Sequence, residues 1–272
     1  MELINGWETI GGRTGEMAIY VSRPASANSP LPAVLVLQEV WGVDAHIVDV
    51  TDRMAAAGYL AISPDLYSLG GARPDAISAD RVESLKAFMD TIPMGAWQDN
   101  DLRNAALAKL PEDESARISE TMTTLFGQFA NMETFIAELR GVVAWARGRD
   151  DCDGRVGAIG FCMGGGMAAR LACDEPDLSG AVGFYGAAPT PDQIAHLHCP
   201  VLCLHGEQDE RLVGTIPGFQ KAADEAGKSY EAVIYPDAPH AFFNDTRASY
   251  RPDAARPAWA RTLSFLNEHL AK

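Results

Sequence analysis

The run AVLVLQEV (33–40) is apolar from Ala33 to Leu37 and is closed by Gln38 and Glu39. An unbroken apolar run of this length fits a strand covered on both faces, as in a parallel sheet. HIVDVTDRMAAAGYLAISPDLY (46–67) reads as a helix closed by Gly58, a short strand YLAIS and a loop at Pro64. Strand, helix, strand is the repeating unit of α/β folds. The rhythm returns later in the chain. Phe135, Ile136, Leu139, Val142, Val143 and Ala146 recur at helical spacing between Met132 and Arg147. RVGAIGFCMGGGMAARLA (155–172) is strand, tight turn and helix, and GAVGFYG (180–186) is another strand. PVLCLHGEQD (200–209) is a strand ending in Gly and acids. A helix near 216–226 is closed by Gly227, SYEAVIYP (229–236) is the last strand, and a final helix runs over about 258–270. Before all of these, Gly6 to Val21 reads as the start of a β-hairpin turning at Gly11–Gly12, followed by a Pro/Ser loop over 22–32. The pattern predicts an α/β fold, with a mostly parallel central sheet and helices on both faces.

The stretch 70–130 breaks the alternation. It holds Gly70–Gly71, Pro74, Pro93 and Pro111, with polar helical patches such as DRVESLKAFMD (80–90). That is too long for a plain connection. It is read as a helical cap or lid inserted in a single domain spanning 1–272; the plainer alternative is a long crossover.

Composition narrows the function classes. With 272 residues, 47% hydrophobic and 22% charged, the chain can bury a sizeable core. A net charge of −15 argues against a broad nucleic-acid or anionic-membrane surface. No apolar run approaches the roughly 20 residues of a membrane span, and the first residues, with acids and no apolar stretch, do not read as a signal peptide. Five scattered cysteines with no C-x-x-C pair suit a reduced, cytoplasmic compartment.

Chemistry concentrates at Gly160-Phe161-Cys162-Met163-Gly164, a G-x-C-x-G between a strand and a helix. This is the nucleophile-elbow pattern with cysteine in place of serine. A strained turn there lifts the nucleophile above the sheet, and glycines let strand and helix approach. The helix N-terminus favours a thiolate, and the Met163 amide can face a developing oxyanion. Two plainer readings compete. An unpaired cysteine is often a small buried hydrophobe, and a glycine-rich turn before a helix can bind phosphate, although the Walker lysine is missing.

Partners decide between them. On this architecture the acid follows the nucleophile and the histidine comes last. HGEQD supplies Asp209, with Glu207 and Glu210 as rivals, and YPDAPH supplies His240. His205 is the rival base, but its position inside a strand suits a core histidine. His196, His198 and His269 read as loop or surface residues, and His46 lies near the first strand end. Glu39 stands at the tip of the first parallel strand, where ligands bind in α/β sheets; it is either functional or a solvent-facing loop acid.

QEVWGVD (38–44), PDLY (64–67), GFCMGGG (160–166), GFYG (183–186), HGEQD (205–209) and HAFF (240–243) together resemble the dienelactone hydrolase family, a cysteine branch of the α/β-hydrolases. The resemblance implies Cys162 as nucleophile, His240 as base and Asp209 as the acid that orients it. It implies oxyanion-hole N–H groups from Val40 and Met163, and a Glu39 that holds the resting thiol and takes its proton. Trp41, Tyr67, Arg117, Phe242 and Asn244 are the implied substrate contacts. The family keeps an arginine four residues after the histidine; Asn244 stands there, Arg247 lies three further on, and Arg73, Arg81 and Arg103 share the 70–130 segment with Arg117.

The leading expectation is a cysteine hydrolase of a lactone or small carboxylic ester, without a cofactor or metal and with no partner beyond its small-molecule substrate. A broad carboxylesterase or thioesterase is the alternative within enzymes, and a non-catalytic ligand-binding homologue the alternative outside them. A metal-dependent hydrolase is disfavoured, since His196-x-His198 has no acid–His motif to complete a zinc site.

Overall fold

The computed structural model describes residues 1–93 and 99–270. Its strands are β1 (Leu3–Gly11), β2 (Glu16–Pro24), β3 (Leu31–Leu37), β4 (Leu60–Pro64), β5 (Cys152–Phe161), β6 (Leu178–Phe184), β7 (Val201–Gly206) and β8 (Tyr230–Tyr235). Among the described residues they form one sheet in the order β1-β2-β4-β3-β5-β6-β7-β8. From β4 to β8 every neighbouring pair is parallel, while β1 and β2 are antiparallel additions at one edge. Side-chain parity explains the apolar run in β3. Ala33, Leu35 and Leu37 enter one core and Val34 and Val36 the other, so neither face has a use for polar residues.

The helices are α1 (Ala45–Ala56), α2 (Ala79–Asp90), α3 (Asn100–Leu107), α4 (Glu112–Gly127), α5 (Met132–Arg147), α6 (Met163–Asp174), α7 (Pro191–Ile194), α8 (Glu210–Val213), α9 (Ile216–Ala226) and α10 (Pro252–Leu270). Ile47, Val50 and Met54 of α1 share a core with Ala254, Ala258 and Leu266 of α10. Phe135, Leu139 and Val142 of α5 and Met167 and Leu171 of α6 fill the core on the opposite face. No helix among the described residues is long and apolar enough to cross a membrane.

The 70–130 segment holds α2, α3 and α4; its residues 94–98 lie outside the described residues. Val82, Leu85 and Phe88 of α2 and Ile118 and Leu125 of α4 join the same core as α5 and α6. Arg81 fastens α2 to α4, donating to the Thr121 hydroxyl at 3.0 Å and the Glu120 carboxylate at 2.6 Å.

Several boundaries differ from the pattern-based expectation. The hairpin pairs Gly11 with Glu16, so the turn spans 12–15, and β2 continues to Pro24, which pairs with Leu3 at the sheet edge. Proline is tolerated there because the β2–β4 ladder ends at Ser22, so at Pro24 no strand on that side asks for a donor. The third strand stops at Leu37, leaving Gln38 to Val40 in a loop. The last helix begins at Pro252 and carries Pro257 inside it. Proline's fixed φ suits the first helical position, and the helix bears the one lost bond at Pro257.

Candidate active site

Cys162 sits between the end of β5 and the start of α6 with φ 52° and ψ −113°. A non-glycine residue in this region carries strain of order 1–3 kcal/mol and persists only where its surroundings enforce it. Here the Cys162 N–H donates to the Phe184 carbonyl at 3.0 Å, and the Cys162 carbonyl accepts from Gly166 at 3.2 Å. The glycines act by allowing contact. A Cβ on Gly160 would collide with the Gly164 backbone, one on Gly164 with the carbonyl of Leu37, and one on Gly165 would lie 2.6 Å from the Phe184 oxygen. The first turn of α6 is thus seated against the tips of β3 and β6. Met163 opens α6, so its N–H has no carbonyl one turn earlier to bond.

The His240 ring meets Asp209, with Nδ1 2.6 Å from Oδ2. Asp209 follows β7 and His240 follows β8, and the two turns approach because Gly206 lacks a Cβ that would strike the Ala238 carbonyl. Glu207 instead accepts from the Asp237 N–H at 3.0 Å, and Glu210 is exposed on α8. Burial alone would lower the His240 pKa. The Cys162 charge, the hydrogen bonds to Asp209 and Cys162 and the Asp209 charge outweigh it and raise the pKa to about 10. The ring is therefore set to be an imidazolium between a carboxylate and a sulfur. His205, buried in β7, is driven the other way, to about 4, chiefly by desolvation.

Glu39 is buried, 2% exposed. One carboxylate oxygen accepts from the Tyr185 hydroxyl at 3.2 Å and the other from the Asn244 amide at 2.7 Å. Tyr185 has φ 39° and its ring centroid lies 5.1 Å from that of His240. Burial first, then the charges of Glu39 and Cys162, push its pKa well up, so the hydroxyl keeps its proton and donates. The Cys162 sulfur acts on the His240 ring as one of the causes that raise its pKa, while the Glu39 oxygens are engaged by Tyr185 and Asn244.

The remaining sequence-predicted residues fall in different places. The Tyr67 hydroxyl donates to the Val40 carbonyl at 2.9 Å, fixing the loop that carries the Val40 N–H. Trp41 is buried beside this loop, with the Lys86 ammonium 5.9 Å and the Arg247 guanidinium 5.2 Å from its ring centroid. Asn244 differs from the expected substrate contact: it is fully buried, and its amide is spent on Glu39 and Thr246. Phe242 is also fully buried, packed on Tyr185 and Tyr235. Arg117 lies on the exposed side of α4, 3.9 Å from Asp80. Arg73 pairs with Asp65 at 2.6 Å and donates to the Val43 carbonyl at 3.0 Å, bracing the loop after Glu39.

Tyr185, Thr246, Lys86 and Asp90 escaped the sequence reading. Only Tyr185 carried a local signal, a hydroxyl-bearing aromatic at the tip of an apolar strand next to the elbow strand.

A sheet of this order, with a cysteine at the turn after β5, an acid after β7 and a histidine after β8, defines an α/β-hydrolase. The chain belongs to the dienelactone hydrolase family, whose model matches residues 17–270. It is accordingly a hydrolase of ester bonds. A relative from Saccharolobus solfataricus named "Putative carboxymethylenebutenolidase" is 31% identical over 89% of this chain and 91% of its own length. One from Bradyrhizobium, named "Probable 2-oxo-3-(5-oxofuran-2-ylidene)propanoate lactonase", is 29% identical over 97% and 94%. The crystal structure of a "Putative Dienelactone Hydrolase" from Klebsiella pneumoniae superposes with a TM-score of 0.72 at 29% identity, covering 98% of this chain and all of that one.

Proposed function

We propose that the protein is a cysteine hydrolase that opens a lactone or cleaves a small carboxylic ester. The observation that carries this reading is the strained Cys162 at the elbow, whose charge acts on a His240 that Asp209 holds at 2.6 Å. Names of the similar proteins, which include a lactonase, support the lactone side.

In this reading the Cys162 thiolate attacks the carbonyl carbon. The oxyanion that develops is met by the N–H groups of Val40 and Met163. Collapse breaks the ester C–O bond, and the leaving oxygen takes a proton from the His240 imidazolium. An acyl thioester on Cys162 remains. Neutral His240 then deprotonates a water that attacks the thioester carbonyl, and the second collapse returns the thiolate and the imidazolium and releases the acid. Asp209 orients the ring and balances its charge throughout. Glu39, buried and bonded to the Tyr185 whose ring centroid lies 5.1 Å from that of His240, accepts the thiol proton when Cys162 is uncharged. Helix α2 is tied to the loop after Glu39 by Lys86–Asp44 at 2.6 Å, which supports reading the 70–130 segment as a cap.

The test is a hydrolysis screen with a dienelactone, an aryl ester and a thioester, run on wild type and Cys162→Ala, with mass spectrometry of the quenched protein. Turnover of lactone or ester, an acyl adduct on Cys162 and loss of both in the variant are expected. A folded Cys162→Ala protein that turns over at the wild-type rate overturns the reading.

A further inference from the structure

The run after His240 ties the histidine loop to three other elements. Asn244 reaches Glu39 at 2.7 Å, Asp245 reaches Arg53 of α1 at 2.5 Å, and Arg247 reaches Asp90 of α2 at 2.9 Å. Within this run the Asn244 amide has one allowed direction. Its oxygen accepts from the Thr246 N–H at 3.1 Å and from the Thr246 hydroxyl at 2.6 Å. Turning the amide over would set an NH2 against a backbone N–H and an oxygen against a carboxylate. Both swaps cost heavily where Asn244 and Glu39 are 0% and 2% exposed. Glu39 therefore receives a donor at each oxygen, and both donors, the amide and the Tyr185 hydroxyl, are neutral.

We infer that Asn244 is a positioning residue acting through Glu39, with Thr246 as the lock that sets the direction of its amide. The inference rests on the cysteine-hydrolase reading above. A guanidinium in the same place would pin the carboxylate by a charge-assisted bond roughly twice as strong as a neutral one. A carboxylate so pinned is a poor proton acceptor. The amide holds Glu39 in place and leaves it able to trade a proton with the Cys162–His240 pair. Position 244 is also closed to a substrate carboxylate, so any anionic group on the substrate has to find its cation elsewhere.

The experiment compares Asn244→Ala, Asn244→Asp, Thr246→Val and Thr246→Ser, reading kcat and KM across pH together with the melting temperature. Asn244→Ala should lower kcat by roughly tenfold or more, in line with the cost of a misplaced reacting group, with little change in KM. Asn244→Asp faces Glu39 with a second carboxylate. Two carboxylates so close share a proton, and the kcat profile should gain an ionisation. Thr246→Val should lose activity in the same direction and less steeply, and Thr246→Ser should restore it. A wild-type kcat and pH profile in the Asn244 variants, or a fall in melting temperature with an unmoved profile, overturns the inference. If the Asn244 variants do not fold, the Thr246 pair decides alone: equal kcat and profile in Val and Ser overturns it. Cys162→Ala runs alongside. Full turnover in that variant sinks the cysteine-hydrolase reading, whereas a dead Cys162→Ala with unchanged Asn244 variants sinks only the role of Asn244.

Discussion

The Arg247 guanidinium lies 5.2 Å from the Trp41 ring centroid and 2.9 Å from an Asp90 carboxylate oxygen. One side chain thus joins the histidine loop, the loop behind Glu39 and helix α2. Lys86, four residues before Asp90 on the same helix, grips Asp44 at 2.6 Å and lies 5.9 Å from the same ring centroid. Helix α2 is thus tied by charge at two points close to Trp41, the residue next to Val40.

Loosening one of these points should change substrate handling more than stability. Asp90 is partly exposed, so its ion pair contributes on the order of 1 kcal/mol or less. A cost of that size lowers the melting temperature of a chain this long by only about 2–4 °C. Asp90→Ala should show such a small shift and a several-fold rise in KM, and added salt should reduce the difference from wild type. Steady-state kinetics at two ionic strengths checks this. Identical KM values at low salt would mean that α2 stays in place without the pair.

Strain at the elbow should be measurable as stability. At φ 52° and ψ −113° a β-carbon is penalised whatever it carries, and glycine is not. Cys162→Ala and Cys162→Gly both remove the thiol, so they differ in strain and in one methyl group. The glycine variant should be the more stable by about 1 kcal/mol, against the usual order in which glycine destabilises. Urea unfolding of the two proteins decides it; an alanine variant as stable as the glycine one would show a relaxed turn.

Local pattern carries the elbow because everything it needs is adjacent in the chain: an apolar strand, glycines at fixed offsets and an amphipathic helix. The α/β alternation is legible for the same reason, since period and punctuation are local. What joins residues far apart in sequence is not. Asn244 and Glu39 are 205 positions apart, and nothing in HAFFN says that the amide turns inward. Nor does HGEQD say which acid meets the histidine. That depends on how the turns after β7 and β8 close over Gly206, which sets Glu207 against the Asp237 N–H and Asp209 against the ring. The extent of β2 escaped because Pro24 pairs across an edge with Leu3, where propensity has little to say.

The charge state of His240 offers a spectroscopic check. Its pKa, about 10, is held up against burial by the Cys162 charge and the hydrogen bonds to Asp209 and Cys162. Because the shift is upward, the ring stays protonated as pH rises past the ordinary 6.5 and loses its proton only near 10. Nitrogen NMR of the imidazole should show an imidazolium at neutral pH in wild type. In Cys162→Ala the sulfur's charge and hydrogen bond are gone, and the midpoint should fall. A ring already neutral at pH 7 in wild type, or a midpoint that ignores the cysteine, would refute the ion pair.

His205 should make the fold sensitive to acid. Its ring is 2% exposed, and neither nitrogen has a hydrogen-bond partner among the described residues. Desolvation is the main cause that brings its pKa from 6.5 to about 4, with the Asp209 charge opposing it and the His240 charge adding to it. A histidine held neutral in the folded state binds its proton more readily when unfolded, so its contribution to stability grows with pH. That contribution is complete above about 6.5 and is lost as pH falls toward 4. A shift of this size corresponds to on the order of 3 kcal/mol across that window. His205→Leu keeps every carboxylate of the wild type and removes this one titration. Unfolding free energies measured from pH 6.5 down to 4 should fall more steeply for wild type than for the variant. Parallel curves would show that the buried ring takes up its proton in the folded protein as easily as outside it.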